Sequence, residues 1–174
     1  MARPAPGALV TRLRPVREAD LARLAAWAAE PTSEYDDFSG PPPPGVVDAP
    51  RVKPPGFGEL VVTDDDDVPL GTVGWHTVHY GPGSGSTALS IGISLRPEAR
   101  GLGHGSRSQR MLADYLFATT RVNRVEASTD VRNVAEQKAL ERGGFTREGV
   151  MRGAQWRQGS WHDLVGYARL RGEP

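Results

Sequence analysis

The residues with the clearest chemical meaning lie between Leu95 and Ser106, in the sequence L-R-P-E-A-R-G-L-G-H-G-S. They follow an alternating apolar run over 87–95, which predicts a β-strand, and they precede a helix predicted over 106–119. Glycine lets the backbone approach a ligand closely, and a helix N-terminus carries partial positive charge. A strand, a glycine-rich loop and a helix start in this order bind phosphate groups in many proteins. The sequence therefore predicts an enzyme that handles a nucleotide or a coenzyme.

Two common phosphate-binding motifs are excluded. The loop G-x-x-x-x-G-K-S/T is absent, since neither of the two lysines follows such a glycine loop. The dinucleotide motif G-x-G-x-x-G does not fit, because Gly101, Gly103 and Gly105 alternate with single residues. The pattern that remains is Arg100-x-x-Gly103-x-Gly105, placed between the predicted strand and the predicted helix.

Length and composition indicate one globular domain. The chain has 174 residues, of which 38% are hydrophobic and 24% charged, enough to build a hydrophobic core. Without cysteine, disulfides, thiolate nucleophiles and cysteine metal sites are excluded. No run approaches the roughly 18 apolar residues of a membrane span, and residues 1–7 contain no signal-like apolar core. We expect a cytoplasmic protein with flexible termini at 1–7 and 171–174.

The formal net charge of zero conceals an asymmetry along the chain. Residues 1–89 contain seven basic and twelve acidic side chains, a net charge of −5, whereas residues 90–174 contain fourteen and nine, a net charge of +5. The glycine-rich loop lies in the basic half. Such a division suits an anionic cofactor bound by one half and a cationic substrate met by the other. Chance segregation of surface charge is the alternative.

Periodicity predicts the order strand–helix–three strands–helix–strand–helix–two strands. The segment 30–58 has no periodicity and contains the run Pro41–Pro44, so it is predicted to be an irregular loop; a substrate-side lid and a plain connection both stay open. Asp64–Asp67 lack the spacing and glycine of a calcium loop and are predicted to form a solvated hairpin turn. The predicted strands are 10–13, 60–63, 70–80, 87–95, 122–128, 145–151 and 161–170, and the predicted helices are 19–29, 106–119 and 134–142.

Several spaced segments together resemble the GNAT N-acetyltransferase superfamily, in its RimJ/RimL-like branch. The R-x-x-G-x-G at 100–105 is similar to the family's coenzyme A pyrophosphate loop. Asn133 and the following A-L-E-R-G-G-F resemble the family segment N-x-x-S…A-x-x-x-x-G-F. The opening T-R-L-R-P-V-R-E-A-D-L and the closing residues 147–170 fit the same branch. The resemblance spans residues 8–170.

The resemblance implies a single domain over 8–170 with an α/β (α+β) fold, in which a central, twisted, mostly antiparallel sheet with a splayed pair of strands is flanked by helices. It implies acetyl-CoA as the cofactor and no metal. The loop would wrap the pyrophosphate, and the strand end would pair with the pantetheine arm. The side chain of His104 is interpreted as solvent-exposed. The residues implied to bind the coenzyme are Ile93, Ser94, Leu95, Arg100, Gly101, Leu102, Gly103, His104, Gly105, Ser106 and Asn133.

The residues that would move protons differ from the family pattern. Many members carry Glu at the position of Ser90 and Ser at the position of Glu136, and other branches carry Tyr at the position of Leu140. Our hypothesis for catalysis is that Glu136, alone or through a water held with Asn133, handles a proton near the sulfur, and that Ser90 positions a water. A glutamate on a helix surface is the alternative interpretation of Glu136.

Five residues are candidates for an acceptor pocket. His76 and His79 lie three apart on one predicted strand, so they face opposite sides and cannot chelate one metal ion in the usual way. One of them would face the acceptor, with packed or surface histidines as the alternative. Glu34, Asp36 and Asp37 would attract a cationic acceptor, with loop solubility as the alternative.

The function implied is transfer of an acetyl group from acetyl-CoA to a primary amine, on a protein N-terminus or a small molecule, by direct attack in a ternary complex. A first alternative is modification or inactivation of an amine-bearing natural product or antibiotic. A second is a coenzyme A-binding sensor or partner protein without catalysis. We expect a bacterial protein with no nucleic-acid or membrane partner, and a homodimer is compatible with the sequence.

Overall fold

A computed structural model of the protein describes residues 10–29, 33–35, 56–83 and 85–173. Residues Pro97–Ala99, directly before the glycine-rich loop, form a 3₁₀ turn. Most of the segment 30–58, which was predicted to be an irregular loop, lies outside the described residues, as do residues 1–9. The elements in chain order are β1 (Arg12–Pro15), α1 (Glu18–Ala29), β2 (Gly58–Thr63), β3 (Pro69–His79), β4 (Thr87–Leu95), α2 (His104–Thr119), β5 (Arg124–Asp130), α3 (Val134–Arg142), β6 (Thr146–Arg157) and β7 (Ser160–Leu170).

The predicted order of strands and helices is confirmed, but several elements are longer than predicted, among them α2 and β6. Helix α2 begins at His104, not Ser106, because Gly103 adopts a left-handed conformation with φ of 90° and the helix starts directly after it. Strand β6 continues to Arg157, not Met151, because its ladder with β7 resumes at Gln155 after an irregularity. The residues of β6 are mostly exposed on both sides and give no alternating apolar signal.

The seven strands of the described ranges form one sheet in the order β1-β2-β3-β4-β5-β7-β6. Every pairing is antiparallel except that of β4 with β5, which is parallel. These two strands are joined at only two positions, Leu89 with Val125 and Ser90 with Glu126, although β4 continues to Leu95. They therefore separate after Ser90, as a splayed pair does. The mixed sheet with flanking helices confirms the predicted fold class.

The hydrophobic core lies between one face of the sheet and the helices α2 and α3. Leu112 of α2 and Leu140 of α3 pack in one cluster with Leu89 and Ile91 of β4. Because side chains alternate along a strand, Ser90 lies on the opposite face. Strand β4 thus presents apolar side chains to the helices and small or polar ones to the other face. No helix within the described ranges is long and apolar enough to span a membrane.

An ion-pair cluster ties the first elements together. The Arg14 guanidinium donates to both carboxylate oxygens of Asp20, at 2.6 and 3.0 Å, and the Arg17 N–H donates to the same carboxylate at 2.8 Å. Arg14 also donates to Asp67 in the turn between β2 and β3, at 2.7 Å. The hydrogen bonds from Arg14 and from the Arg17 N–H hold the pKa of Asp20 well below its ordinary value.

We expect Asp20→Asn to lower the melting temperature by a few degrees at pH 7, because it removes the charged acceptor that joins β1 to α1. A carboxylate with a depressed pKa stabilises the fold above its ordinary value of 3.8, and this contribution is lost as the pH falls towards the folded-state pKa. The difference between wild type and variant should therefore shrink between pH 5 and pH 2, measured by thermal unfolding. Glu18→Gln, an exposed change in the same helix, is the control; an equal, pH-independent shift in both variants would contradict the assignment.

Candidate functional site

A cavity of about 410 Å³ lies between the end of β4, the loop that follows it and helix α3. The open edge that β4 gains by separating from β5 forms one side of this cavity. Nine of the eleven residues that the family resemblance implied for the coenzyme line it. They are Ile93, Ser94, Leu95, Arg100, Gly101, Gly103, Gly105, Ser106 and Asn133.

The loop between β4 and α2 depends on left-handed backbone at two glycines. Gly101 has φ of 73° and Gly103, the N-cap of α2, has φ of 90°, a region that residues with a side chain rarely adopt. No side chain caps this helix end. The N–H groups of the first turn have no acceptor within the helix, so they are available to an anion.

Three cationic side chains line the same cavity: Arg100, Lys138 and Arg142. Arg100 is oriented by a hydrogen bond from its Nε to the carbonyl oxygen of Leu95, at 2.9 Å. Lys138 and Arg142 lie four residues apart on one face of α3, a spacing that the sequence contains but that our sequence analysis did not use. Together with the helix N-terminus, they give the cavity the electrostatics of a site for a phosphorylated ligand.

Two of the residues implied for the coenzyme lie outside the cavity lining. Leu102 is 58% exposed. His104 is only 4% exposed, so the interpretation of its side chain as solvent-exposed is wrong. The reason is the earlier start of α2, which turns His104 towards β1, where its Nδ1 lies 2.9 Å from Thr11 Oγ1. Burial lowers the pKa of His104, and the charge of Arg107 lowers it further.

Asn133 and Glu136 together begin helix α3 at the cavity wall. The side-chain oxygen of Asn133 accepts a hydrogen bond from the Glu136 N–H at 3.2 Å, as an N-cap does, and its amide nitrogen donates to Thr129 Oγ1 at 3.1 Å. The carboxylate of Glu136 accepts a hydrogen bond from the side chain of Gln109 on α2. Glu136 therefore lines the cavity with both its backbone and its side chain held in place.

Ser90 and His76 lie on the face of the sheet opposite α2 and α3. His76 of β3 is the direct partner of Ser90, which in turn pairs with Glu126 of β5. This row crosses the sheet at the last β4–β5 pair, beside the gap between the strands, although neither Ser90 nor His76 lines the cavity itself. His79 lies at the end of β3 and, by alternation, on the other face. Within the described ranges, no three His, Asp or Glu side chains cluster so as to hold a metal ion.

Tyr35, which the sequence analysis missed, lines one end of the cavity together with Ser33. The Tyr35 ring lies 5.6 Å from the guanidinium carbon of Arg157, a side chain that is 1% exposed and that contacts Asp130. The ring that lines the cavity therefore packs against a buried ion pair. No periodic signal could have identified Tyr35, because the surrounding loop has none.

The acidic candidates for the acceptor pocket are placed only in part. Glu34 forms an ion pair with Arg132, at 3.3 Å. Asp36 and Asp37 lie outside the described residues.

Burial raises the pKa of Tyr35, and the nearby carboxylates of Glu34 and Asp130 raise it further, so the phenol stays protonated at neutral pH. The wall therefore presents a neutral hydroxyl.

Two residues at the turn between β6 and β7 extend the Arg157–Asp130 ion pair into a network. Ser160 Oγ lies 3.0 Å from His162 Nε2, and His162 Nδ1 lies 3.2 Å from Asp130. Burial alone would raise the pKa of Asp130, but hydrogen bonds from the Arg132 N–H and from Arg157 hold it below its ordinary value. His162 Nδ1 also lies 3.1 Å from Arg157, so that guanidinium competes with Asp130 for the same ring nitrogen. This network therefore supports the turn.

Comparison with known proteins agrees with this architecture. Residues 11–146 match the family model described as the acetyltransferase (GNAT) domain, and the chain belongs to this family. Because the matched residues include β4, the glycine loop and α3, the family match covers the cavity described above.

Individual relatives match parts or most of the chain. Probable N-acetyltransferase YjcK of Bacillus subtilis is 32% identical over 103 residues, which are 59% of this chain and 55% of that protein. The ribosomal-protein-S5-alanine acetyltransferase of Vibrio fischeri has a structure with a TM-score of 0.58 at 26% identity, covering 66% of this chain and 62% of that one. The spermidine N-acetyltransferase of Vibrio cholerae, in complex with coenzyme A and spermine, has a TM-score of 0.67 at 17% identity, covering 94% and 96%, and shows the shared fold. The chain thus matches just over half the length of YjcK.

We expect Gly101→Ala to weaken coenzyme A binding about tenfold, because a side chain at φ of 73° strains the loop by roughly 1–2 kcal/mol. The measurement is the dissociation constant of coenzyme A by calorimetry. Gly172→Ala is a matched control, since Gly172 also has a positive φ and open space around it, but lies at the end of the chain. Equal affinities for the two variants would show that the loop does not hold the ligand.

Proposed function

We propose that this protein transfers an acetyl group from acetyl-CoA to a primary amine, on a protein N-terminus or a small molecule, by direct attack in a ternary complex. The observation that carries the proposal is the cavity at the open edge of β4, with a helix N-terminus and three cations along its wall. Family membership supports the same reaction class.

The described residues fit a coenzyme with phosphate groups at one end. The loop 101–106 and the side chain of Arg100 would hold the pyrophosphate, with Lys138 and Arg142 as further cations for phosphate oxygens. Ile93, Ser94 and Leu95 lie beyond the last β4–β5 pair, so backbone groups on this edge are available to an extended ligand arm. The side chain of Asn133 acts mainly as the helix cap beside that arm.

The reaction requires one proton to leave the amine and one proton to reach the sulfur. Bound acetyl-CoA supplies a thioester carbonyl; the amine nitrogen forms a bond to its carbon while the carbon–sulfur bond breaks. Glu136, on the cavity wall beside Asn133, takes up a proton from solvent and passes it to the sulfur, directly or through a water. Glu136 is the proposed donor because it stands where the family resemblance places a serine, and Leu140 stands where other branches of the family carry a tyrosine.

His76 is the proposed proton acceptor for the amine. It pairs with Ser90 at the edge of the gap between β4 and β5, on the face away from the core helices. An amine that approaches the gap from this face meets Ser90 and His76 first, and Ser90 positions a water through which His76 removes the proton. Tyr35 forms the far wall as an uncharged hydroxyl.

The test is to mix the protein with acetyl-CoA and a panel of amines, and to follow free thiol and acceptor mass. Ribosomal-protein N-terminal peptides, polyamines and aminoglycosides represent the three acceptor classes. We expect thiol release with one class and a mass increase of one acetyl group on that acceptor. Coenzyme A binding without transfer to any amine would favour the sensor alternative, and absence of binding would refute the coenzyme site.

We expect His76→Asn to lower kcat about 10²-fold on the accepted amine, because general-base catalysis typically contributes that much or more. The affinity for coenzyme A should stay within twofold, since His76 does not line the coenzyme cavity. His79→Asn is the matched control, on the same strand but the opposite face. Wild-type kcat in the His76 variant would remove His76 from the mechanism.

A further inference from the structure

Gln109 is a buried polar residue at the junction of α2 and α3. Its side chain is 2% exposed, and its amide nitrogen donates a hydrogen bond to Oε1 of Glu136. Its amide oxygen is buried and has no hydrogen-bond partner among the described residues. Leu112 and Ala113, which follow on the same helix, are fully buried in the hydrophobic core.

Packing alone does not explain a glutamine at this position. Met or Leu would fill a similar volume without burying a carbonyl oxygen that lacks a donor. The orientation of the amide follows from its partner: Oε1 of Glu136 accepts a hydrogen bond, so the NH₂ group must face Glu136, and the amide oxygen is left buried without a donor. The unsatisfied oxygen is therefore a consequence of holding Glu136.

Two contacts act on Glu136 from different elements. The side chain of Asn133 holds its backbone N–H, and Gln109 holds its carboxylate. Arg100, Lys138 and Arg142 line the same cavity, and each cation would attract an unrestrained carboxylate. An ion pair with one of these cations would keep Glu136 ionised, whereas a fixed, uncharged donor holds it on the wall and still lets it take up the proton that it passes on. The other titratable group of the cavity is Tyr35 at its far end.

We propose that Gln109 is a positioning residue for the acetyl transfer: by donating to Oε1 of Glu136, it orients the carboxyl group so that the proton taken up there is delivered to the sulfur of coenzyme A. This inference rests on the proposed function. It explains why α2, whose later turns build the core, carries a buried amide in its first half. The contact joins the helix that begins at the coenzyme loop to the helix that carries the acidic group.

The test is a double-mutant cycle with Gln109→Met and Glu136→Gln, assayed with the amine that the wild type accepts. We expect Gln109→Met to lower kcat about tenfold with the KM for acetyl-CoA within twofold, and to have no further effect when Glu136→Gln is already present. Ser108→Ala is the matched control: Ser108 is a buried neighbour whose hydroxyl also lacks a partner among the described residues, and its removal should leave kcat unchanged. Additive effects, or unchanged kcat in either single variant, would overturn the inference.

The exchanged variant Gln109→Glu/Glu136→Gln separates positioning from packing, and it decides the question if Gln109→Met does not fold. It restores an amide–carboxylate pair but moves the carboxylate away from the cavity. We expect its melting temperature to approach that of the wild type while its kcat stays at the level of Glu136→Gln. Wild-type kcat in the exchanged variant would overturn the inference and leave the proposed function intact. If the wild type released no thiol with any amine of the panel, both the inference and the proposed function would be refuted.

Discussion

Strands β4 and β5 share backbone pairing only as far as Ser90 and Glu126, and β4 then runs on to Leu95 without its neighbour. A strand edge exposed inside a domain must find partners for its N–H and C=O groups, from water or from a ligand. The cavity, the glycine loop and the start of α3 all lie along this edge. The separation of two parallel strands thus forms one side of the cavity in which we propose that the coenzyme binds.

Helix α2 serves both the site and the core, and its composition changes along its length. Its N-terminus faces the cavity and is followed by the buried polar side chains of His104, Ser108 and Gln109, whereas Leu112 and Leu116 belong to the hydrophobic core. Buried polar atoms without partners, such as Gln109 Oε1, cost about 1–3 kcal/mol each. Burial of the apolar side chains in the second half of the helix offsets this free-energy cost.

Local patterns predicted the elements well where the pattern is periodic. The strand over 87–95 and the helix over 134–142 have the predicted bounds because alternation and helical spacing are strong there. The prediction was weaker where contacts decide the structure: β6 extends beyond its apolar signal through its ladder with β7. Tyr35 was missed for the same reason, since its place over Arg157 depends on a contact between residues far apart in the chain.

The sequence by itself determined the fold class and predicted a coenzyme-binding loop, because the alternating strand, the glycines at 101–105 and the helix start are neighbours along the chain. Their geometry follows from backbone preferences that need no distant partner. Only the tertiary structure decided which side chains meet at the site. His76 lies beside Ser90 through strand register, and Gln109 reaches Glu136 through the packing of two helices. Register and helix packing arise from the summed burial of the whole core, so no local pattern specifies these contacts.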